Sequence, residues 1–217
     1  MAGRVNAADQ GAPLLAERAY LGLRDMIVTL RLPPGAPIHE DRLSAELEVG
    51  RTPLRDAVKR LEAETLVVIY PRRGTFVTEV NITDHGLIAD VRRQLEGHAA
   101  ARAAELATEE QRRAMRALVT SLRKQRGDKQ RSMQQDADVH RWVYESAHNR
   151  YLEATLSHYF NLSLRIWYLF LDRLPEADHT GEHVRMLQAI IEGDAEQARK
   201  LAIAHVDQFE QSVRDVL

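Results

Sequence analysis

The sequence predicts a mainly α-helical chain in two parts, and three observations carry that prediction. Apolar residues recur at helical spacing over most of the 217 residues. The spacing becomes strand-like only between Val67 and Thr78. Beyond Val80 everything reads as helix again, with no further strand-like run.

Residues 1–12 are small and polar and are expected to be disordered. In the helix expected from Ala16 to Leu30, Tyr20, Leu23, Ile27 and Leu30 share a face, and Pro33-Pro34-Gly35 stops it. A short second helix, Asp41 to Glu48, passes through the turn Val49-Gly50-Arg51 into a third. Thr52 is expected as the N-cap of that third helix and Pro53 as its first residue, where a missing N–H costs nothing. Leu54, Ala57, Val58, Leu61 and Leu66 form one apolar stripe, with Arg51 and Arg55 at the N-terminal end and Lys59 and Arg60 further along. A short helix that is apolar behind and arginine-bearing at its start suits the major groove of DNA; the plain alternative is an amphipathic surface helix. Val67–Tyr70 and Thr75–Thr78 flank Pro71-Arg72-Arg73-Gly74 as a hairpin. Three helices and a basic-tipped hairpin make a winged helix-turn-helix over residues 13–80.

Asn81-Ile82-Thr83-Asp84 marks a boundary, and residues 81–217 read as an all-helical bundle. Helices are expected over 83–106, 109–126, 129–147, 151–172, 176–192 and 195–215. Thr108 with Gln111 has capping-box spacing, and Asn149, Pro175 and Gly193-Asp194 punctuate the joints. Six such helices can enclose a pocket for a metal or ligand.

Helix 129–147 places Met133, Asp136, His140, Val143 and Ala147 on one stripe. A carboxylate on a core stripe is costly unless it meets a cation, and His140 lies one turn beyond it. Further along, His183, Leu187 and Ile190 form one stripe, and Ala198, Leu201, His205, Phe209 and Val213 another. If Gly193-Asp194 is the turn of a helical hairpin, His183 and His205 stand symmetrically about it, eleven residues either side of position 194. At about 1.5 Å rise per residue both imidazoles fall roughly 16 Å from the turn and can face each other. Asp136, His140, His183 and His205 then form an all-N/O set for a divalent ion: Zn²⁺ or Ni²⁺ foremost, Mn²⁺ or Fe²⁺ otherwise. Taken singly, each histidine is more often a hydrogen-bonded core residue than a ligand. His179, near Pro175, competes with His183 and ranks below it.

Composition narrows the classes. The formal net charge of −2 gives no licence for nucleic-acid binding by itself. Locally, however, Arg51, Arg55, Lys59, Arg60, Arg72 and Arg73 stand against Asp56 alone, six cations to one anion. The absence of cysteine excludes disulfides and thiolate metal sites. No apolar run approaches a membrane span, and the first twelve residues lack a signal-peptide core, so a cytoplasmic protein without membrane partners is expected.

Together these residues resemble the GntR family of bacterial transcription regulators, in its FadR subfamily with an FCD effector-binding domain. The resemblance runs from about Leu15 to the C-terminus. It rests on Leu32-Pro33-Pro34-Gly35, Leu43-Ser44-Ala45-Glu46-Leu47, Val49-Gly50-Arg51-Thr52-Pro53-Leu54-Arg55-Asp56-Ala57-Val58 and Gly74-Thr75-Phe76-Val77. In the second part it rests on Arg92-Arg93-Gln94-Leu95-Glu96, Asp136-Ala137-Asp138-Val139-His140, His148-Asn149, Glu182-His183, Gly193-Asp194 and His205. It implies a homodimer on a palindromic double-stranded operator, released or remodelled by a small metabolite, often a carboxylic acid. Positions matching DNA contacts are Arg51, Thr52, Arg55 and Gly74, while those matching metal ligands are Asp136, His140, His183 and His205. Arg92 matches a recurrent arginine near the effector pocket.

The chain also departs from the pattern. Glu48-Val49-Gly50 stands where the family has Gly-Val-Ser, which removes a hydroxyl that could cap the helix or touch a phosphate. Asp41 occupies a position where arginine is frequent, leaving Arg42 as its candidate substitute in DNA binding. Thr65 replaces a usual glycine; threonine would be strained at positive φ, so a different helix end is expected.

The expected mechanism is a ligand-responsive regulator, a repressor, in which Arg51 and Arg55 contact guanines or phosphates and Arg72 and Arg73 brace the wing. The metal keeps positions for an effector carboxylate paired by Arg92, with Tyr144 and Arg165 lining the cavity. Two alternatives are a metal-dependent hydrolase, for which no nucleophile motif is found, and a regulator whose metal is purely structural.

Overall fold

The computed structural model describes residues 7–124, 129–171, 173 and 179–216, with side chains of 7–13, 129–132 and 179 left aside. Pro175, the start expected for helix 176–192, the last residues of helix 109–126 and the side chain of His179 lie outside the described residues. The chain divides into two compact units, Met1–Asn81 and Ile82–Leu217.

The first unit holds α1 (Ala7–Val28), α2 (Glu40–Glu46), α3 (Arg51–Ala63) and a hairpin of β1 (Val67–Tyr70) with β2 (Gly74–Val77). Helix α1 starts inside the segment expected to be disordered. Leu23, Ile27, Leu43, Leu54, Leu61 and Leu66 make a fully buried core, so the stripes read from α1 and α3 do meet. The strands pair antiparallel, Val67 opposite Val77 and Tyr70 opposite Gly74. The loop before α2 adds a third edge, because Ile38 N–H donates to the Thr75 carbonyl at 2.8 Å and Pro37 bridges Phe76.

Two expectations about α3 are corrected. Its N-cap is Gly50, which brings no side-chain cap, not Thr52. Pro53 is therefore the third helical residue, still among the first four, whose N–H groups have no intrahelical acceptor. At the other end the glycine-type stop forms despite threonine. Thr65 takes φ 61°, its N–H donates to Glu62 O at 3.0 Å, and that of Leu66 donates to Leu61 O at 2.9 Å. Glu48 repeats this at the end of α2, with φ 52° and the Val49 N–H on Ser44 O at 3.0 Å.

The second unit is all helix among the described residues: α4 (Asp84–Leu106), α5 (Glu109–Lys124), α6 (Lys129–Ser146), α7 (Arg150–Phe170), α8 (His179–Glu192) and α9 (Ala195–Arg214). Thr108 and Gln111 exchange the reciprocal bonds of a capping box, at 3.2 and 2.9 Å. Asn149 caps α7 and Asp194 caps α9. Helix α4 is the central element, packed chiefly against α9. Its face is small, with Ala99, Ala100, Ala103 and Ala104 all buried. A Cβ on Gly97 would lie 2.9 Å from the Ile203 side chain, so glycine there permits the close approach that carries Glu96 into the interior.

Candidate functional site

Helix α6 supplies Asp136 and His140, α8 supplies His183 and α9 supplies His205, and all four are buried. One ligand atom from each lies within 4.8 Å of the others. His183 Nε2 is 3.3 Å from His205 Nε2, which in turn is 3.4 Å from His140 Nε2. Asp136 Oδ1 sits 3.1, 3.8 and 3.9 Å from the Nε2 atoms of His183, His140 and His205. The Gly193 turn, at φ 81°, and the Asp194 cap bring α8 and α9 into the register that the eleven-residue symmetry requires.

This arrangement fits a cation on three counts. Asp136 Oδ1 is buried and accepts no hydrogen bond of good geometry, a costly state unless a positive charge meets it. Ligand atoms about 2.1 Å from an ion span about 3.0 Å in an octahedral edge and about 3.4 Å in a tetrahedral one, and the three shortest spacings here, 3.1, 3.3 and 3.4 Å, fall in that range. The donor set, three imidazole nitrogens and a carboxylate oxygen, suits Zn²⁺, Ni²⁺, Mn²⁺ or Fe²⁺.

Around the four lies a second layer. Glu96 Oε2 is 3.2 Å from His140 Nδ1, and Glu182 Oε2 is 2.8 Å from His205 Nδ1. Glu96 Oε1 accepts from Arg92 Nε and Nη2, at 3.1 and 2.7 Å, and from the Tyr144 hydroxyl at 2.6 Å. Burial alone would raise the Asp136 and Glu96 carboxyls. The imidazoles around Asp136, and His140 and Arg92 beside Glu96, hold both below the usual carboxylate range instead. Burial, helped by the His183 imidazole, pushes His205 down to about 4.

A very small cavity of about 10 Å³ opens on Asp136, His140 and His205, walled by Arg92 and by Phe160, Trp167 and Phe209. That is about the room one water needs, so an organic occupant enters only if side chains move. Arg92 reaches it over the Phe160 ring, 5.5 Å from the centroid. Tyr144 and Arg165, buried on α6 and α7, are not among its walls. Sequence reasoning did not assign roles to Glu96 and Glu182. The available signal was an acid on an otherwise alanine-lined helix face, and another immediately before a ligand histidine.

In the first unit Arg42, Arg51, Thr52, Arg55, Arg73 and Gly74 are all exposed. Arg51 Nη2 meets Asp41 at 3.0 Å and Arg55 Nε meets Glu40 at 2.8 Å, so both arginines of the α3 start are held by carboxylates of α2. Arg60 leaves the expected basic patch. Its guanidinium lies 3.4 Å over the Tyr20 ring centroid and donates to Glu17 at 2.8 Å.

An arginine-tipped winged helix-turn-helix, joined to a helical domain with a buried polar centre, is the architecture of a DNA-binding regulator. Residues 15–77 match the bacterial regulatory proteins of the gntR family and residues 87–208 match the FCD domain. The chain thus belongs to the GntR family of bacterial transcription regulators with an FCD domain, a family of regulators and not of enzymes. These two domains imply DNA and a small-molecule effector as partners. Among similar proteins, the HTH-type transcriptional repressor RspR of Escherichia coli (strain K12) is 25% identical over 206 residues, 92% of this chain and 89% of that protein. A regulator from an unstable DNA locus of Streptomyces ambofaciens is 45% identical over 62 residues, 29% of this chain and 26% of its own length. In fold, E. coli McbR/YncC superposes with a TM-score of 0.81 at 20% identity, covering 93% of this chain and 97% of that one. A GntR regulator from Rhodococcus sp. RHA1 gives 0.69 at 19% identity, with coverage of 93% and 98%. No helix among the described residues is long and apolar enough to cross a membrane.

Proposed function

We propose that this chain is a metal-dependent repressor of the FadR subfamily, in which residues 13–80 bind a palindromic operator as a homodimer and residues 81–217 sense a small carboxylic acid. The observation that carries this reading is the Asp136, His140, His183 and His205 set beside a cavity that Arg92 also walls. A divalent ion held by those four residues supplies Lewis acidity toward a carboxylate. Arg92, already charged and buried against Glu96, supplies the second positive group. The cavity against three of the four ligands favours a sensory role for the ion over a purely structural one. Leu87 and Val91, one turn apart on α4 and 67% and 38% exposed, support a second copy on that face. The repressor name of RspR supports repression. Operator binding sets its place of action in the cytoplasm.

On the DNA side Arg51, Thr52 and Arg55 would meet the major groove, with Arg42 and the Arg73-Gly74 wing tip against the backbone. An operator selected from random duplexes, titrated with wild type and Arg55→Ala, tests this. Loss of about 1–3 kcal/mol with relaxed sequence preference is expected; unchanged affinity and salt dependence would overturn it. On the sensor side, a thermal-shift screen of small carboxylic acids should find stabilisation in wild type that His183→Ala loses. An acid that stabilises both equally would remove the metal from the sensing role.

A further inference from the structure

We infer that Glu182 and Glu96 are positioning residues of the metal centre, each fixing the tautomer of one ligand imidazole, with Glu182 the stronger. The inference rests on the metal reading above.

A neutral imidazole carries one N–H, and the partner of the outer nitrogen decides where it sits. An ionised carboxylate only accepts, so a carboxylate at Nδ1 draws the proton there and leaves the Nε2 lone pair for an ion. His205 has Glu182 at Nδ1 at 2.8 Å, and His140 has Glu96 at Nδ1 at 3.2 Å. With both protons drawn outward, the Nε2 atoms of His140 and His205 face each other at 3.4 Å, with Asp136 Oδ1 within 3.9 Å of both. Lone pairs and a carboxylate converging in a buried space repel one another unless a cation lies between them.

The two carboxylates are unequal. Glu96 answers to Arg92 and Tyr144 on its other oxygen, and the Tyr144 hydroxyl also stands 3.2 Å from His140 Nδ1. The guanidinium offsets part of the charge of Glu96. Glu182 makes the shorter contact. It stands beside His183 in sequence yet serves His205 across the hairpin, just as Glu96 on α4 serves His140 on α6. Four helices are thereby tied to one ion through two ligand-and-carboxylate pairs.

The test is zinc affinity of the full chain by competition with a chromophoric chelator, with Asp136→Ala as the baseline. Loss of an outer partner of this kind typically weakens metal binding by roughly 10- to 100-fold. Glu182→Gln should lie in that range and Glu96→Gln should lose less. In the metal-free wild type, ¹⁵N imidazole spectra should show Nδ1–H at both His140 and His205, a readout that survives even if a variant fails to fold. Wild-type affinity in Glu182→Gln, or Nε2–H at His205, would overturn the inference and leave the metal reading standing. A wild type that binds zinc no better than Asp136→Ala would overturn the metal reading itself.

Discussion

Replacing Thr65 by glycine should stabilise the N-terminal unit although it removes only exposed atoms. Thr65 holds φ at 61° to close α3. A left-handed conformation costs an L-residue roughly 1–2 kcal/mol and a glycine nothing. Glycine gives back roughly 0.5–1 kcal/mol through its greater freedom in the unfolded chain. The side chain is exposed, and the Thr65 carbonyl that accepts the Thr78 hydroxyl at 2.8 Å is backbone and survives the change. The net gain is thus about 0.5–1 kcal/mol, several degrees in the melting temperature of a unit this small. Both tryptophans, Trp142 and Trp167, belong to the second unit, so tryptophan fluorescence has no reporter in the first. Scanning calorimetry or far-ultraviolet dichroism should see the first unit melt later. An unchanged or lower melting temperature would refute the assignment of strain to Thr65.

Arg60→Ala should cost stability of about 1 kcal/mol through its cation–π contact with Tyr20, yet leave operator affinity and its salt dependence almost unchanged. A salt slope reduced as much as in Arg55→Ala would return Arg60 to the DNA surface. Burial, and Glu64 beside it, push the Tyr20 phenol up to about 12, so its ultraviolet titration should lie well above the usual tyrosine range. A midpoint near 10 would contradict that packing. The metal-free second unit should lose stability as the pH falls. The stability that comes from a neutral His205 is complete above its unfolded value of about 6.5 and is lost as pH falls toward about 4, on the order of 3 kcal/mol. Asp136 and Glu96, held low, add their losses below about 4. Denaturant melts followed by Trp167, which packs 5.1 Å from Phe209, should show a lower midpoint at pH 5 than at pH 7.5. An equal or higher midpoint at pH 5 would contradict the account.

The periodic parts of this fold were legible because burial imposes period. The stripe from Leu54 to Leu66, the strand-like runs after Val67 and the capping pair Thr108 and Gln111 each record a local physical demand, and the structure meets each one. The pairing of His183 with His205 could be read because a hairpin converts sequence symmetry into spatial opposition. The cap of α3 was misplaced because Thr52 satisfies every local rule for the role, and only the backbone shows that Gly50 takes it. Thr65 misled in the other direction. Local strain argued against a left-handed helix end, but the packing of Leu66 against the core outweighs that strain. Glu96 could not be read from periodicity, since α4 is buried on several faces and presents no single stripe. Its role follows from Gly97, which brings α4 near α9, and from His140 on another helix, and no local pattern encodes either meeting. Arg60 looked like part of a basic face because the sequence does not show that Tyr20 comes to lie beneath it.

The central claim is that Asp136, His140, His183 and His205 hold one divalent ion within a DNA-binding regulator. Elemental analysis of the purified full chain, beside His183→Ala and Asp136→Ala, tests it most directly. The account predicts close to one equivalent of zinc, nickel, manganese or iron per wild-type chain, and little in either variant that still folds. A wild type free of bound metal, even after incubation with each ion in turn and desalting, would contradict it.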